Sequence, residues 1–160
     1  MHIFDASSII YAWDNYPIEN FPPMWTWMSS QIACGKFSIS KIALQEVVHK
    51  SPDCGDWLQK HQIAVQSLTN DALQQALAIK QILGVIEDNY HGDGVGENDI
   101  LIIAIAKVNG KILVSDERRQ FTLPKNMARY KIPAVCELED VQVDCISFIE
   151  LIKNSGAVFC

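Results

Sequence analysis

A chain of 160 residues with 49% apolar content is long enough for one domain with a full core and too apolar to stay disordered. Its net charge of −6 argues against tight, sequence-independent binding of duplex nucleic acid. The longest apolar run, residues 100–106, is far short of the ~20 residues that cross a bilayer, so no membrane association is expected.

The chain opens with a short strand, residues 2–5, that ends in an acid, Asp5. Ser7 and Ser8 offer caps for a helix through Ile9, Ile10, Tyr11 and Trp13. Pro22-Pro23 opens a second helix over 24–34, which Gly35 ends. Residues 37–39 read as a short strand, after which Ser40 caps a helix carrying Ile42, Leu44, Glu46, Val47 and Val48. A short helix surrounds Trp57-Leu58. A longer one starts at Asn70 or Asp71, with Leu73, Ala76, Leu77, Lys80, Leu83 and Ile86 near helical spacing.

Residues 89–96 form a polar, glycine-rich loop. It leads into a helix from Asp99 to Lys107, apolar all round and therefore central, which Asn109-Gly110 terminates. Ile112-Leu113-Val114-Ser115 is the clearest strand, with Asp116-Glu117 directly after it. Lys131-Ile132-Pro133 leads into a short helix, 141–145 reads as a further strand, and 148–153 as the last helix. This alternation predicts a single α/β domain over 1–160, a three-layer α/β/α sandwich with a mostly parallel central sheet.

The five cysteines are odd in number and form no C-x-x-C pair, and the four histidines show no H-E-x-x-H spacing. Free thiols in a reducing cytoplasm are expected, and zinc is not. Asp5 interrupts the amino-terminal apolar stretch and no basic segment precedes it, so a secretory signal is not expected either. Seven of the thirteen basic residues (Lys107, Lys111, Arg118, Arg119, Lys125, Arg129 and Lys131) fall in one stretch, a candidate phosphate-contacting patch or simply a solvated face.

Ligands of open parallel sheets bind beyond the carboxyl ends of the strands. Asp5 and Asp116-Glu117 fall there. Asp99 sits at a helix start, where the positive end of the dipole tolerates a carboxylate. Glu46 follows Ile42 by four residues and turns to the same side of its helix, inward. Each acid has an ordinary structural explanation when taken alone. Together they repel one another, and a hard divalent cation with oxygen ligands, Mg2+ or Mn2+, resolves the repulsion.

These words, in this order, resemble the PIN-domain family, including the VapC-type toxins of bacterial toxin–antitoxin pairs. Phe4-Asp5-Ala6-Ser7-Ser8-Ile9-Ile10 is similar to the family's opening aspartate, small polar residue and aliphatic pair. Leu44-Gln45-Glu46-Val47-Val48 resembles its helix-borne glutamate, and Asn98-Asp99-Ile100-Leu101-Ile102-Ile103-Ala104 its aspartate before an aliphatic-alanine helix. Ile112-Leu113-Val114-Ser115-Asp116-Glu117 resembles its strand ending in a hydroxyl residue and an acid. The tail Lys131-Ile132-Pro133-Ala134-Val135-Cys136 is similar to one little-characterised PIN-like branch.

The resemblance implies a metal-dependent ribonuclease. Asp5, Glu46 and Asp99 would be its metal-binding, catalytic carboxylates, completed by Asp116 or Glu117; the family's Thr-x-Asp ending aligns with either. Ser7 and Ser115 would orient carboxylates or bound water, and Arg118 and Arg119 would hold flanking phosphates. It also implies an RNA substrate, a small antitoxin partner and a homodimer. Trp13, Trp25 and Trp27 are not explained by these words and read as core or dimer surface.

Two other readings are weaker. A non-catalytic PIN-like binding module would keep the fold without the chemistry. A phosphatase with a nucleophilic aspartate wants an acid two residues after the first, where Ser7 stands. Gly92-Asp93-Gly94-Val95-Gly96 follows a helix rather than a strand and is a loop, not a nucleotide-binding turn.

Overall fold

The computed structural model describes residues 1–160. Five short parallel strands form one sheet: β1 (His2–Phe4), β2 (Phe37–Ser40), β3 (Ala64–Gln66), β4 (Ile112–Val114) and β5 (Cys145–Ile146). Their spatial order is β3-β2-β1-β4-β5. β1 lies in the middle, with Phe4 opposite both Ile39 and Val114. The chain builds outward from β1 to β3 and then returns to the other flank of β1 as β4. Right-handed crossovers therefore place the helices before and after that return on opposite faces of the sheet. The direction of build-out reverses between β1 and β4, the switch point at which open parallel sheets generally bind their ligands.

The helices are α1 (Ala6–Asn15), α2 (Pro22–Ala33), α3 (Lys41–Lys50), α4 (Pro52–Lys60), α5 (Asn70–Ile82), α6 (Glu97–Val108), α7 (Ile132–Cys136) and α8 (Phe148–Ser155). Phe4, Ile9, Ile39, Ile102, Ile103, Leu113, Val114 and Phe148 lie wholly within one core. α6 buries Ile100 and every residue from Ile102 to Ala106, as its uniformly apolar sequence predicts. Ser40 caps α3 by accepting the Ala43 N–H at 3.0 Å. Trp25 packs edge to face on both Trp13 and Trp57, and its indole N–H donates to the Tyr16 carbonyl at 2.6 Å. These rings serve packing. All five cysteines are free, as expected. No helix is long and apolar enough to cross a membrane.

Four sequence expectations are corrected. Ser7 and Ser8 lie inside the first turn of α1, and Asp5 holds the N-cap position. The expected strand at 141–145 shrinks to Cys145–Ile146, because Gln142 has φ 48°, which no strand accommodates. The long helix stops at Ile82 rather than reaching Ile86: Gly84 adopts φ 71° and turns the chain away. β3, absent from the expected elements, is an edge strand with Ala64 and Val65 exposed, so it lacks an apolar signature.

The glycine loop before α6 is pressed onto the segment before α7. Val95 donates its N–H to the Tyr130 carbonyl at 2.9 Å, and a Cβ at Gly94 would lie 1.8 Å from the Ala128 carbonyl oxygen. Gly94→Ala must therefore push the two segments apart. It should cost about 1–3 kcal/mol, lowering Tm by roughly 3–10 °C in a thermal melt.

Candidate active site

The parallel register brings the carboxyl ends of β1 and β4 side by side, and the site grows from that junction. Asp5 directly follows β1. Its amide donates to the Val114 carbonyl at 2.9 Å, which continues the sheet one residue further. Its side chain is buried, only 4% exposed. A carboxylate in that position costs several kcal/mol unless it is hydrogen-bonded or paired with a cation.

Two serines supply the hydrogen bonds. The Ser7 hydroxyl donates to Asp5 Oδ2 at 2.6 Å, and the Ser115 hydroxyl donates to the same oxygen at 3.0 Å. Each hydroxyl also accepts from the strand-end loop: Ser7 from the Asp116 N–H at 3.0 Å, Ser115 from the Glu117 N–H at 3.3 Å. The two oxygens are 3.3 Å apart. Ser8, fully buried, donates to the carbonyls of Asp5 and Val114 at 2.8 and 2.7 Å. Asp5, Ser7 and Ser8 thus tie the end of β1 to the end of β4.

Even so, burial raises the Asp5 pKa above the ordinary carboxylate range. The serine hydrogen bonds oppose the rise, and the Glu46 charge adds to it. Asp99, at the third position of α6, accepts the Gly96 N–H at 2.9 Å. Burial lifts its pKa to about 6 against that bond, and Glu117, Asp5 and Glu46 all push it further up. Glu117 is raised by burial and by Asp5 and Glu46, while the Ile132 N–H, which bonds its Oε2 at 3.2 Å, and the Lys131 charge oppose the rise. Four carboxylates therefore sense one another across the sheet edge: Asp5, Glu46, Asp99 and Glu117.

The adjacent acids Asp116 and Glu117 face different ways. Asp116 Oδ2 accepts the Phe148 N–H at 3.1 Å, at the first residue of α8. Burial raises its pKa to about 6, and the charges that act on it are Asp5 and Glu150. Asp116 thus turns toward α8, while Glu117 is held by the Ile132 amide at the start of α7, within reach of the charges of Asp99, Asp5 and Glu46. Glu46 is half-buried on the Ile42 side of α3 and ion-paired with Lys50 at 2.5 Å. Glu46 raises the Lys50 pKa most, with Asp5 and Asp99 adding to it. The ammonium group is the counter-charge of the cluster. Sequence reasoning missed Lys50, although its place four residues after Glu46 was the signal for a pair.

With the side chains as they stand, no three acids, histidines or cysteines come close enough to hold one ion. The fit to a cation is one of charge and donor chemistry: several desolvated carboxylates, all oxygen, with Lys50 partly neutralising them. The two acids with longer side chains, Glu46 and Glu117, are each held elsewhere, by Lys50 and by the Ile132 N–H. An exposed i,i+4 pair such as Glu46–Lys50 contributes only about 0.3–0.5 kcal/mol, so freeing Glu46 costs little. Arg119 is engaged with Glu150 at 2.9 Å and with the Cys145 carbonyl at 3.2 Å, whereas Arg118 makes no ion pair. A cavity of about 580 Å³ lined by Lys107, Lys111, Glu139, Asp140 and Asp144 lies at the opposite, amino end of β4 and shares no residue with these acids.

The fold is PIN-like, as the sequence resemblance implied. The chain belongs to the family described as a domain of unknown function, DUF4411, whose model matches residues 2–159. No curated protein matches it in sequence. Among solved structures it is similar to a chain of VapBC2 from Rickettsia felis bound to a DNA fragment from its promoter. The identity there is 15%, over 91% of this chain and 97% of that one, with a TM-score of 0.55. It is likewise similar to a chain of DNA-bound VapBC from Salmonella typhimurium, at 16% identity over 92% and 97%, with a TM-score of 0.56. At these identities the likeness establishes the fold.

Ionised Asp99 works against the folded state. Its folded pKa, about 6, lies above the reference value of 3.8. The penalty is full above pH 6, shrinks as pH falls, and vanishes below pH 3.8. Asp99→Asn should therefore melt higher than the parent near neutral pH in EDTA, with the gap narrowing as the buffer approaches about pH 5. Comparing the two proteins isolates Asp99 from His2, whose lowered pKa gives the opposite trend with pH.

Proposed function

We propose that the chain is a metal-dependent endoribonuclease that hydrolyses RNA phosphodiester bonds with Mg2+ or Mn2+, and that it is the toxin of a toxin–antitoxin pair. The observation that carries this reading is the mutual repulsion of Asp5, Glu46, Asp99 and Glu117 at one sheet edge, where burial raises Asp5, Asp99 and Glu117 in spite of their hydrogen bonds. Asp5 and Asp99, anchored on β1 and α6, would hold the ion. Glu46 and Glu117 would join them by turning from Lys50 and from the Ile132 amide. A bound cation supplies a water of lowered pKa and polarises the phosphodiester. Ser7 and Ser115 keep the Asp5 carboxylate in one orientation, a constraint that commonly accounts for about 10–100-fold in metal affinity or activity.

Of the two acids left open by the sequence, Glu117 is the proposed fourth carboxylate. Asp116 is a positioning residue that ties the strand-end loop to α8. Both solved structures described above are of VapBC complexes, which supports a small antitoxin protein as partner; a homodimer and a cytoplasmic location belong to the same reading.

Purified protein should cut RNA when Mn2+ or Mg2+ is added and stop when the ion is chelated, with the new ends read by sequencing. A purely binding module would show no such dependence. Asp5→Asn and Asp99→Asn should abolish cleavage while remaining folded. Glu117→Gln should lose roughly 100-fold or more, and Asp116→Asn, which keeps an acceptor for the Phe148 amide, less than about tenfold. A folded Asp5→Asn that cuts at the parental rate sinks the assignment. Lys50→Met removes a competing positive charge and frees Glu46, so it should tighten Mn2+ binding several-fold by calorimetry. Unchanged or weaker binding would show that Lys50 does not compete with the ion.

A further inference from the structure

Beside the acid edge lies an open cleft of about 830 Å³ that the acids do not enter. It is lined by Arg118, Arg119, Arg129 and Lys131 against a single acid, Asp93, and by Phe121 and Gln120. In a chain of net charge −6 this is a concentrated positive surface. Arg119 is paired with Glu150, and Arg129 lies 3.3 Å from Asp93. Arg118 and Lys131 make no ion pair and are free to meet an anion.

Phe121 is 97% exposed. It is the most exposed large apolar side chain of the molecule, and it packs against no other ring. The segment that bears it, residues 115–126, contains neither helix nor strand. Connections of about this length without structure of their own are uncommon in a compact domain. Gln120 fixes this one: its amide donates to the Arg129 carbonyl at 3.0 Å, and its side-chain oxygen accepts the Lys131 N–H at 2.8 Å. The other wall is held by the close packing of Gly94 on Ala128. The cleft is thus a built feature between two pinned segments.

It is also continuous with the acids. Lys131 acts on the charge of Glu117, and the next residue, Ile132, gives Glu117 its amide hydrogen bond. A strand whose reacting phosphate sits at the carboxylates would pass its neighbouring nucleotide into the cleft. We propose that this cleft is a subsite for single-stranded RNA, in which Arg118 and Lys131 contact a flanking phosphate and Phe121 stacks on an unpaired base. The orientation of the strand rests on the ribonuclease reading of the acid edge. An exposed ring beside phosphate-seeking charges suits an unstacked base, whereas a duplex keeps its base faces covered.

The test is binding, measured in EDTA so that no cleavage occurs, by the anisotropy of a short labelled single-stranded RNA and of an abasic strand with the same number of phosphates. Phe121→Ala should weaken the RNA about tenfold and leave the abasic strand unchanged. Arg118→Gln with Lys131→Gln should weaken both, and the salt dependence of log Kd should become shallower by about 0.7 for each phosphate no longer neutralised. Equal binding of RNA by Phe121→Ala and the parent overturns the stacking role, and an unchanged salt dependence in the double variant overturns the phosphate role. If an acidic peptide displaces the RNA and depends on Phe121 as strongly, the cleft belongs to a protein tail, and the RNA assignment is overturned. The two proposals fail separately. This binding pattern without Mn2+-dependent cleavage supports the cleft and refutes the nuclease; cleavage with the variants binding like the parent does the reverse.

Discussion

A carboxylate held out of water at the end of the central strand governs this molecule. Asp5 has no cation beside it of its own, and its hydrogen bonds to Ser7 and Ser115 do not overcome the cost of burial. Those two hydroxyl groups bind Asp5 and, through the amides of Asp116 and Glu117, fix the loop that leaves β4. Satisfying one buried charge therefore sets the position of the next acids in the chain. The parallel sheet makes this possible, since β1 and β4 end side by side only because the chain returns across the sheet after β3.

The same arrangement costs stability. Asp99 and Asp116 are both lifted to about 6 by burial, and Asp99 is surrounded by further negative charge. Such a site weakens its own fold near neutral pH, a cost the large apolar core around α6 and β4 can offset. Lys50 softens the repulsion from the rim without occupying the centre. An i,i+4 pair at the surface contributes little, so Lys50 can leave Glu46 at little cost.

Much of this was legible in the sequence. β4 and α6 are runs of aliphatic residues that can only be interior, and their boundaries fall on Ser115 and Asn109-Gly110. Ser40 announced α3, and the four acid-bearing words pointed to the PIN-like fold. What stayed hidden depends on tertiary placement. β3 has almost no buried side chain, so no period marks it. Val141 and Val143 are buried although neither lies in a strand, and burial without a strand mimics a strand in sequence. Asp116 and Glu117 are neighbours, and only the positions of α8 and Ile132 give them different partners. Lys50 and Phe121 carried no motif: one is an ordinary i,i+4 partner, the other a lone aromatic in a polar loop.

Whether the four carboxylates share an ion is best decided by diffraction from crystals grown with Mn2+, using its anomalous signal. The account predicts a peak at the sheet edge, within coordination distance of carboxylate oxygens of Asp5 and Asp99, with Glu46 swung away from Lys50. Crystals of a preparation that cleaves RNA but shows no manganese at that edge, or manganese bound only elsewhere, would contradict it.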